Sequence, residues 1–316
     1  MFDVIMPTYQ TPSPYLREAI DSVLSQTYQD FQIYICDGNM EDDPLGVQRI
    51  LTEYNDERIH ILDQQGFGVS QARNQAVKAG TNPYVALLDA DDLWEPEKLE
   101  CYKSVLENTP NLKMVWGASK QIFEGQEEIE YRAGFFEGWE QTLPHHKWFR
   151  VYWHPIMTST IVYERNTLEE LGLWNEVAFM GEDTELNLRF LLRYPLDCHQ
   201  LNAYVGTYRW HPRSVRSNQP FYQENMNAGI FALGRPFSFP DMLEALKHQD
   251  GGTEYHSEEY WNTLESAIAD YRHGNNIELA SEEGHDYVLK RVDGLDIGSL
   301  QQEDTPSLSE FMEMKA

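Results

Sequence analysis

With 316 residues, 41% of them hydrophobic, the chain can hold one domain of about 200 residues with a sizeable core, plus an appendage. A formal net charge of −28 argues strongly against non-specific nucleic-acid binding and against simple electrostatic attachment to anionic lipid. No apolar run approaches the ~18 residues of a transmembrane helix, which leaves no transmembrane segment to expect.

The predicted elements alternate. Phe2-Asp3-Val4-Ile5-Met6 reads as a first strand, closed by Pro7-Thr8-Tyr9. An amphipathic helix follows from about Ser13 to Ser25, with Leu16, Ile20, Val23 and Leu24 on one face at the ~3.6-residue period of a helix covering a sheet. Phe31 to Cys36 is a second strand, ending in the turn signal Asp37-Gly38-Asn39. Arg58 to Leu62 is a third strand, and Val69 to Ala79 a helix leading into Tyr84-Val85-Ala86-Leu87-Leu88. Strand and helix at this spacing predict a doubly wound α/β domain with right-handed crossovers.

The fourth apolar run ends in Asp89-Ala90-Asp91-Asp92, three carboxylates within four residues. A run without alternation suits a central strand of a parallel sheet covered on both faces, and ligands of such sheets collect beyond the carboxyl ends of the strands. Clustered acids are costly there unless a cation or donors compensate them, and oxygen ligands select Mg²⁺ or Mn²⁺, ions that commonly hold phosphates. The plainer alternative is a helix start before Glu95-Pro96; it suffices for Asp92, but one cap does not need three acids. Farther on, Glu182-Asp183 opens an apolar-periodic helix carrying Leu186, Leu188, Phe190 and Leu191, where capping alone needs only one carboxylate.

Five blocks occur in order: Val4-Ile5-Met6-Pro7-Thr8-Tyr9, Asp37-Gly38-Asn39, Ala72-Arg73-Asn74-Gln75-Ala76, Leu88-Asp89-Ala90-Asp91-Asp92, and Leu171 to Glu176 followed by Gly181-Glu182-Asp183. A weaker sixth is Tyr208-Arg209-Trp210-His211-Pro212. Together they resemble the inverting glycosyltransferases of family 2. The resemblance implies a GT-A fold, a doubly wound and mostly parallel Rossmann-like sheet, over residues 1–220. It also implies a nucleotide-sugar donor, UDP favoured, and a hydroxyl of a glycan or glycolipid as acceptor. The roles it implies put the nucleoside on Pro7, Thr8 and Asp37, the ribose near Asp89, and Mn²⁺ or Mg²⁺ on Asp91, with His211 as a further ligand. Arg73 would offer the leaving diphosphate a bidentate positive charge. Asp183 would be the base that deprotonates the acceptor, with Glu182 orienting the acceptor or the base. Cys36 stands where the family often has an acid, which weakens the case for UDP over other nucleotides, and Gly206 stands where processive members carry Gln, so a non-processive enzyme is expected.

The remaining signals carry less. Gly66-Phe67-Gly68 has two glycines of a dinucleotide fingerprint but Gln71 in place of the third. His145, His146 and His154 lack a Cys or carboxylate at zinc-ligand spacing. The aromatic stretch from Tyr131 to Trp153 reads mostly as core, with Trp148 and Trp153 as candidate acceptor-pocket residues. Cys36, Cys101 and Cys198 are isolated, and with Phe2 starting a strand and no signal peptide expected, a cytoplasmic protein with reduced thiols follows, peripheral at the inner membrane face if its acceptor is presented there. Residues 221–316 form a separate acidic appendage; Tyr260, Leu264, Ile268 and Tyr271 make it mainly helical, and it could pack on the catalytic domain or support a homo-oligomer. Two other activities could use such a sheet. A sugar nucleotidyltransferase needs a Gly-rich basic loop after the first strand, which Pro7 to Pro12 is not, and a nucleotide-sugar-binding scaffold without catalysis would not need the second acidic pair.

Overall fold

The computed structural model describes residues 1–38, 47–123, 128–133, 139, 151, 156–176 and 181–214. The expected appendage, the acceptor candidates Trp148 and Trp153, and His145, His146 and His154 lie outside the described residues.

The first half is the expected alternation with one helix more, α2, which the sequence did not mark: β1 (Phe2–Thr8), α1 (Ser13–Leu24), β2 (Phe31–Asp37), α2 (Val47–Glu53), β3 (Ile59–Asp63), α3 (Val69–Ala79) and β4 (Tyr84–Leu87). β1 lies between β2 and β4, parallel to both, and β3 adds to β2 in parallel. Pro14 in the first turn of α1 costs nothing because its missing N–H is one the helix leaves unpaired anyway, and Leu16, Ala19, Ile20 and Val23 are buried against the sheet. Gly68, with φ of +94°, provides the left-handed corner from which α3 departs.

The second half comprises β5 (Leu93–Trp94), α4 (Lys98–Asn108), β6 (Met114–Phe123), β7 (Glu128–Ala133), a 3₁₀ turn (Thr158–Thr160), β8 (Val162–Glu164), α5 (Arg165–Glu170), α6 (Glu182–Arg193) and β9 (Cys198–Trp210). The sheet runs β3-β2-β1-β4-β8-β6-β9-β5, with β7 also paired to β6. β8 is antiparallel to both β4 and β6, so β4 is not flanked by parallel strands on both sides as its sequence suggested. An unbroken apolar run reports that both faces are covered; it does not report the direction of the neighbouring strands. No helix of the described residues is long and apolar enough to cross a membrane.

A buried ion pair joins the two halves. Asp3 is fully buried on β1, and Arg165 of α5 donates to its Oδ2 at 2.6 Å, to the Asn82 carbonyl at 2.6 Å and to the Val77 carbonyl at 2.6 Å. Asn82 completes the carboxylate's shell through its backbone N–H at 2.8 Å and its amide at 2.7 Å. A Cβ on Gly80 would fall 2.2 Å from Asp3 Oδ2, so glycine is required by close approach. Removing one member of such a pair strands the other in the core: Asp3→Ala should cost about 3–5 kcal/mol in urea unfolding. A loss under about 1 kcal/mol would show the pair to be dispensable.

Candidate active site

The carboxyl ends of β1 and β2 bring Pro7, Thr8 and Asp37 together, with Thr8 opposite Asp37 in the ladder. Thr8 and Asp37 are buried. The Thr8 hydroxyl donates to Thr11 Oγ1 at 3.1 Å, and the Thr8 carbonyl accepts the Gly38 N–H at 2.8 Å. Gln64, which the motifs did not mark, closes this corner: its N–H bonds the Asp37 carbonyl at 2.9 Å and its amide the Gly68 carbonyl at 2.8 Å. Tyr9 and Phe67 are exposed beside it, at 61% and 77%.

Beyond β4, Arg73 of α3 forks between two carboxylates far apart in sequence, Asp89 Oδ1 at 2.8 Å and Glu182 Oε1 at 2.7 Å. Its side chain is 4% exposed, so this is no helix-surface pair, and both arms of the fork expected to meet a diphosphate are already bonded to carboxylates. Burial works against the guanidinium's charge, but Asp89 and Glu182 outweigh it and hold the pKa above its usual value. Burial likewise raises Asp89, against the pull of Arg73. Glu182 is pushed up to about 7, first by burial and then by the negative charge of Asp183, with Arg73 opposing.

Asp92 is not the helix start that its position suggested. α4 begins at Lys98, whereas Asp92 is buried and accepts the Ser159 hydroxyl at 2.5 Å and the Arg209 N–H at 2.9 Å. Burial, reinforced by Asp91 and Asp89, raises its pKa well above the ordinary carboxylate value. Arg209 also holds this loop through Nε to the Asp91 carbonyl at 2.9 Å, pairs with Glu18, and stacks 4.2 Å over Tyr15.

Asp91 points instead to His211, with Oδ2 at 2.9 Å from Nε2. The backbone N–H of Arg213 donates to His211 Nδ1 at 3.2 Å, so Nδ1 is an acceptor and Nε2 carries the proton given to Asp91. Among the described residues no group of three or more His, Cys, Asp and Glu is assembled for a metal. A carboxylate oxygen fits a hard cation that takes its other ligands from phosphate and water; His211 could join only after its proton moved to Nδ1.

At the start of α6, Gly181 adopts φ of +74°, and Glu182, Asp183 and Glu185 occupy the first turn, where the helix dipole favours negative charge. Asp183 accepts the Thr158 hydroxyl on Oδ2 at 2.7 Å and the Thr184 N–H on Oδ1 at 2.6 Å. Glu185 is committed to Arg189 at 2.6 Å. Asn74, beside Arg73, bonds the backbone of Trp174 in both directions, at 2.8 and 3.0 Å, and so ties α3 to the segment preceding α6.

Residues 3–165, just over half of the chain, match the family described as Glycosyl transferase family 2, and the chain belongs to that family. It is 27% identical over 237 residues to the uncharacterized protein y4gI of Sinorhizobium fredii, an alignment covering 74% of this chain and 25% of that protein. Over 118 residues it is 31% identical to an Escherichia coli enzyme named UDP-Glc:alpha-D-GlcNAc-diphosphoundecaprenol beta-1,3-glucosyltransferase WfgD, covering 37% of this chain and 45% of WfgD. The chain thus spans less than half the length of these curated relatives. Among solved structures it resembles S. aureus TarS 1-349, with a TM-score of 0.57 and 14% identity over 92% of this chain and 87% of that one. At that identity the likeness bears on the fold alone, which is the GT-A type that the motifs implied.

The raised Glu182 gives a signed prediction. A group whose folded pKa lies above its unfolded value contributes stability that is complete below about 4.5 and is lost as pH rises through about 7. Glu182→Gln should therefore flatten the decline of the urea midpoint between those pH values. An unchanged slope would place the titrating group elsewhere.

Proposed function

We propose that the protein is a metal-dependent, inverting, non-processive glycosyltransferase that moves a sugar from a nucleotide-diphosphate donor, UDP favoured, to a hydroxyl of a glycan or glycolipid. The observation that carries this reading is the Arg73 fork, which sets the acidic end of β4 and the acid pair of α6 about one buried guanidinium. Transfer needs two acidic groups of different task at one place, one for the donor's cation and one for the acceptor's proton. Pro7, Thr8 and Asp37 hold the nucleoside, and Asp89 lies towards the ribose.

Asp91 takes Mn²⁺ or Mg²⁺, which when bound neutralises charge developing on the leaving diphosphate. His211 keeps the Asp91 carboxylate aimed, and joins as a ligand in its other tautomer. The acceptor oxygen attacks the anomeric carbon opposite the diphosphate while Asp183 takes its proton, so no covalent glycosyl-enzyme forms. Glu182, anchored on Arg73, orients this base. The name of WfgD supports a UDP-sugar and a diphosphoundecaprenol-linked acceptor as the substrate classes to test first.

Thermal stabilisation by UDP-glucose, UDP-galactose, UDP-N-acetylglucosamine and GDP-mannose, with and without Mn²⁺, tests the donor reading, because any ligand that prefers the native state raises its stability. Asp91→Asn should abolish Mn²⁺-dependent stabilisation and leave the fold intact; equal donor affinity at saturating metal would remove Asp91 from the cation site.

Asp183→Asn should keep donor affinity and lower turnover by roughly 10²–10⁴-fold. Should turnover survive while acceptor affinity collapses, the base is Glu182.

We also assign donor binding to residues 1–220 and none of it to the appendage at 221–316, since every donor-side candidate lies between Pro7 and His211. A chain ending at residue 220 that is folded by circular dichroism should bind UDP as the full chain does, and loss of that binding would move the domain boundary.

A further inference from the structure

The 3₁₀ turn Thr158–Thr160 carries no motif, yet it touches both acidic groups of the site. Its three residues are buried. The Thr158 hydroxyl donates to Asp183 Oδ2 at 2.7 Å. One residue on, Ser159 Oγ donates to Asp92 Oδ2 at 2.5 Å and accepts the backbone N–H of Asp89 at 3.0 Å. The turn is itself fastened from below on every carbonyl. Ile161 N–H bonds the Thr158 carbonyl at 3.0 Å, and the Thr160 carbonyl accepts the Tyr102 hydroxyl at 2.5 Å. The Ser159 carbonyl takes two donors, Trp94 Nε1 at 2.8 Å and Lys98 Nζ at 2.5 Å. Lys98 is fully buried and lies 3.9 Å over the Trp94 ring; burial pushes its pKa well below the ordinary lysine value, and Nζ donates to this carbonyl.

We propose that this turn is the positioning element of the reaction, with Thr158 aiming the Asp183 carboxylate at the acceptor and Ser159 fixing the Asp89–Asp92 loop at the donor. The inference rests on the reading of Asp183 as the base. Asp183 Oδ1 is held by the N–H of its own helix, and among the described residues the Thr158 hydroxyl is the bond that sets the rotation of the carboxylate from outside the helix. A hydroxyl on a turn whose carbonyls are all bonded cannot follow a drifting carboxylate, so the base is preorganised before substrate arrives. The same rigidity transmits to Ser159, so the donor loop and the base are held by consecutive residues of one backbone.

The two side chains then predict separable effects. Thr158→Val keeps shape and removes the donor. It should lower kcat by about 10²-fold, the scale of a misplaced reacting group, and leave the calorimetric Kd for UDP with Mn²⁺ near wild type. Thr158→Ser restores the hydroxyl and should restore most of the turnover. Ser159→Ala should instead weaken UDP binding, by roughly tenfold. Turnover is followed as nucleoside diphosphate release into water from whichever nucleotide sugar of the panel above stabilises the wild type most, with Asp183→Asn as the reference. If Asp183→Asn is inactive but Thr158→Val turns over like wild type, the positioning role is overturned while the base assignment stands. Parallel loss of UDP affinity and turnover in Thr158→Val, without rescue by Thr158→Ser, would reduce the turn to a structural support. Full turnover by Asp183→Asn would remove the base and this inference with it.

Discussion

The fork of Arg73 between Asp89 and Glu182 is the interaction on which the rest of the site depends, because it pairs the buried carboxylate of Glu182 and the part-buried one of Asp89 with a single guanidinium. A charge in the interior must be paired and hydrogen-bonded, and one guanidinium with planar donors can do this for two partners at once. Its location is secured at both sides. Gly68 turns the chain into α3, and Asn74, the next residue, clamps the backbone of Trp174. The helix that covers the parallel sheet is thereby also the helix that places the start of α6.

One cation for two carboxylates still leaves the surroundings acidic. Asp91 and Asp92 lie on the same loop and Asp183 adjoins Glu182, while Arg209, the other guanidinium at hand, is committed to Glu18 and to the Asp91 carbonyl. This bears on how a diphosphate could be held in a chain of net charge −28. The family resemblance made Arg73 a counter-charge for that ligand, but its guanidinium is already bonded on both arms. Asp91, the carboxylate proposed for the cation, is 29% exposed and accepts the His211 N–H. An N–H donated to a carboxylate is the weaker version of the same electrostatic contact.

The parallel half of the fold was legible wherever an element is long enough to show its period, which the seven-residue α2 is not. The face of α1 formed by Leu16, Ile20 and Val23 reads at helical spacing, and α3 fills the span Val69 to Ala79 that the sequence marked. In the antiparallel half the helix α6 was legible from Leu186, Leu188, Phe190 and Leu191, but the strands were not. β5 has two residues and β8 three, too few for any alternation, and the reversal of direction at β4 leaves no trace in an apolar run. Within the site the types of residue were legible and their partners were not. Asp89, Asp91 and Asp92 look alike in sequence, yet one meets an Arg on α3, one a His after β9, and one a Ser 67 residues away. Thr158 and Ser159 read only as polar residues before a short strand, since what distinguishes them is contact across the fold.

The shared guanidinium also makes the two acidic groups answer to one another. Protonating Glu182, whose pKa burial brings to about 7, removes one of the two negative charges that hold Arg73 and leaves Asp89 as its remaining anionic partner. Drawing negative charge away from Asp89 shifts Arg73 towards Glu182 in the same way and favours that group's ionised form. Because both changes act through one equilibrium, each must alter the other by the same free energy. A proton at the start of α6 and a positive charge at the end of β4 are therefore thermodynamically linked, although 93 positions of sequence separate Glu182 from Asp89. The link is short in space, two bonds of 2.7 and 2.8 Å, and water is kept from weakening it because the Arg73 side chain is almost wholly buried.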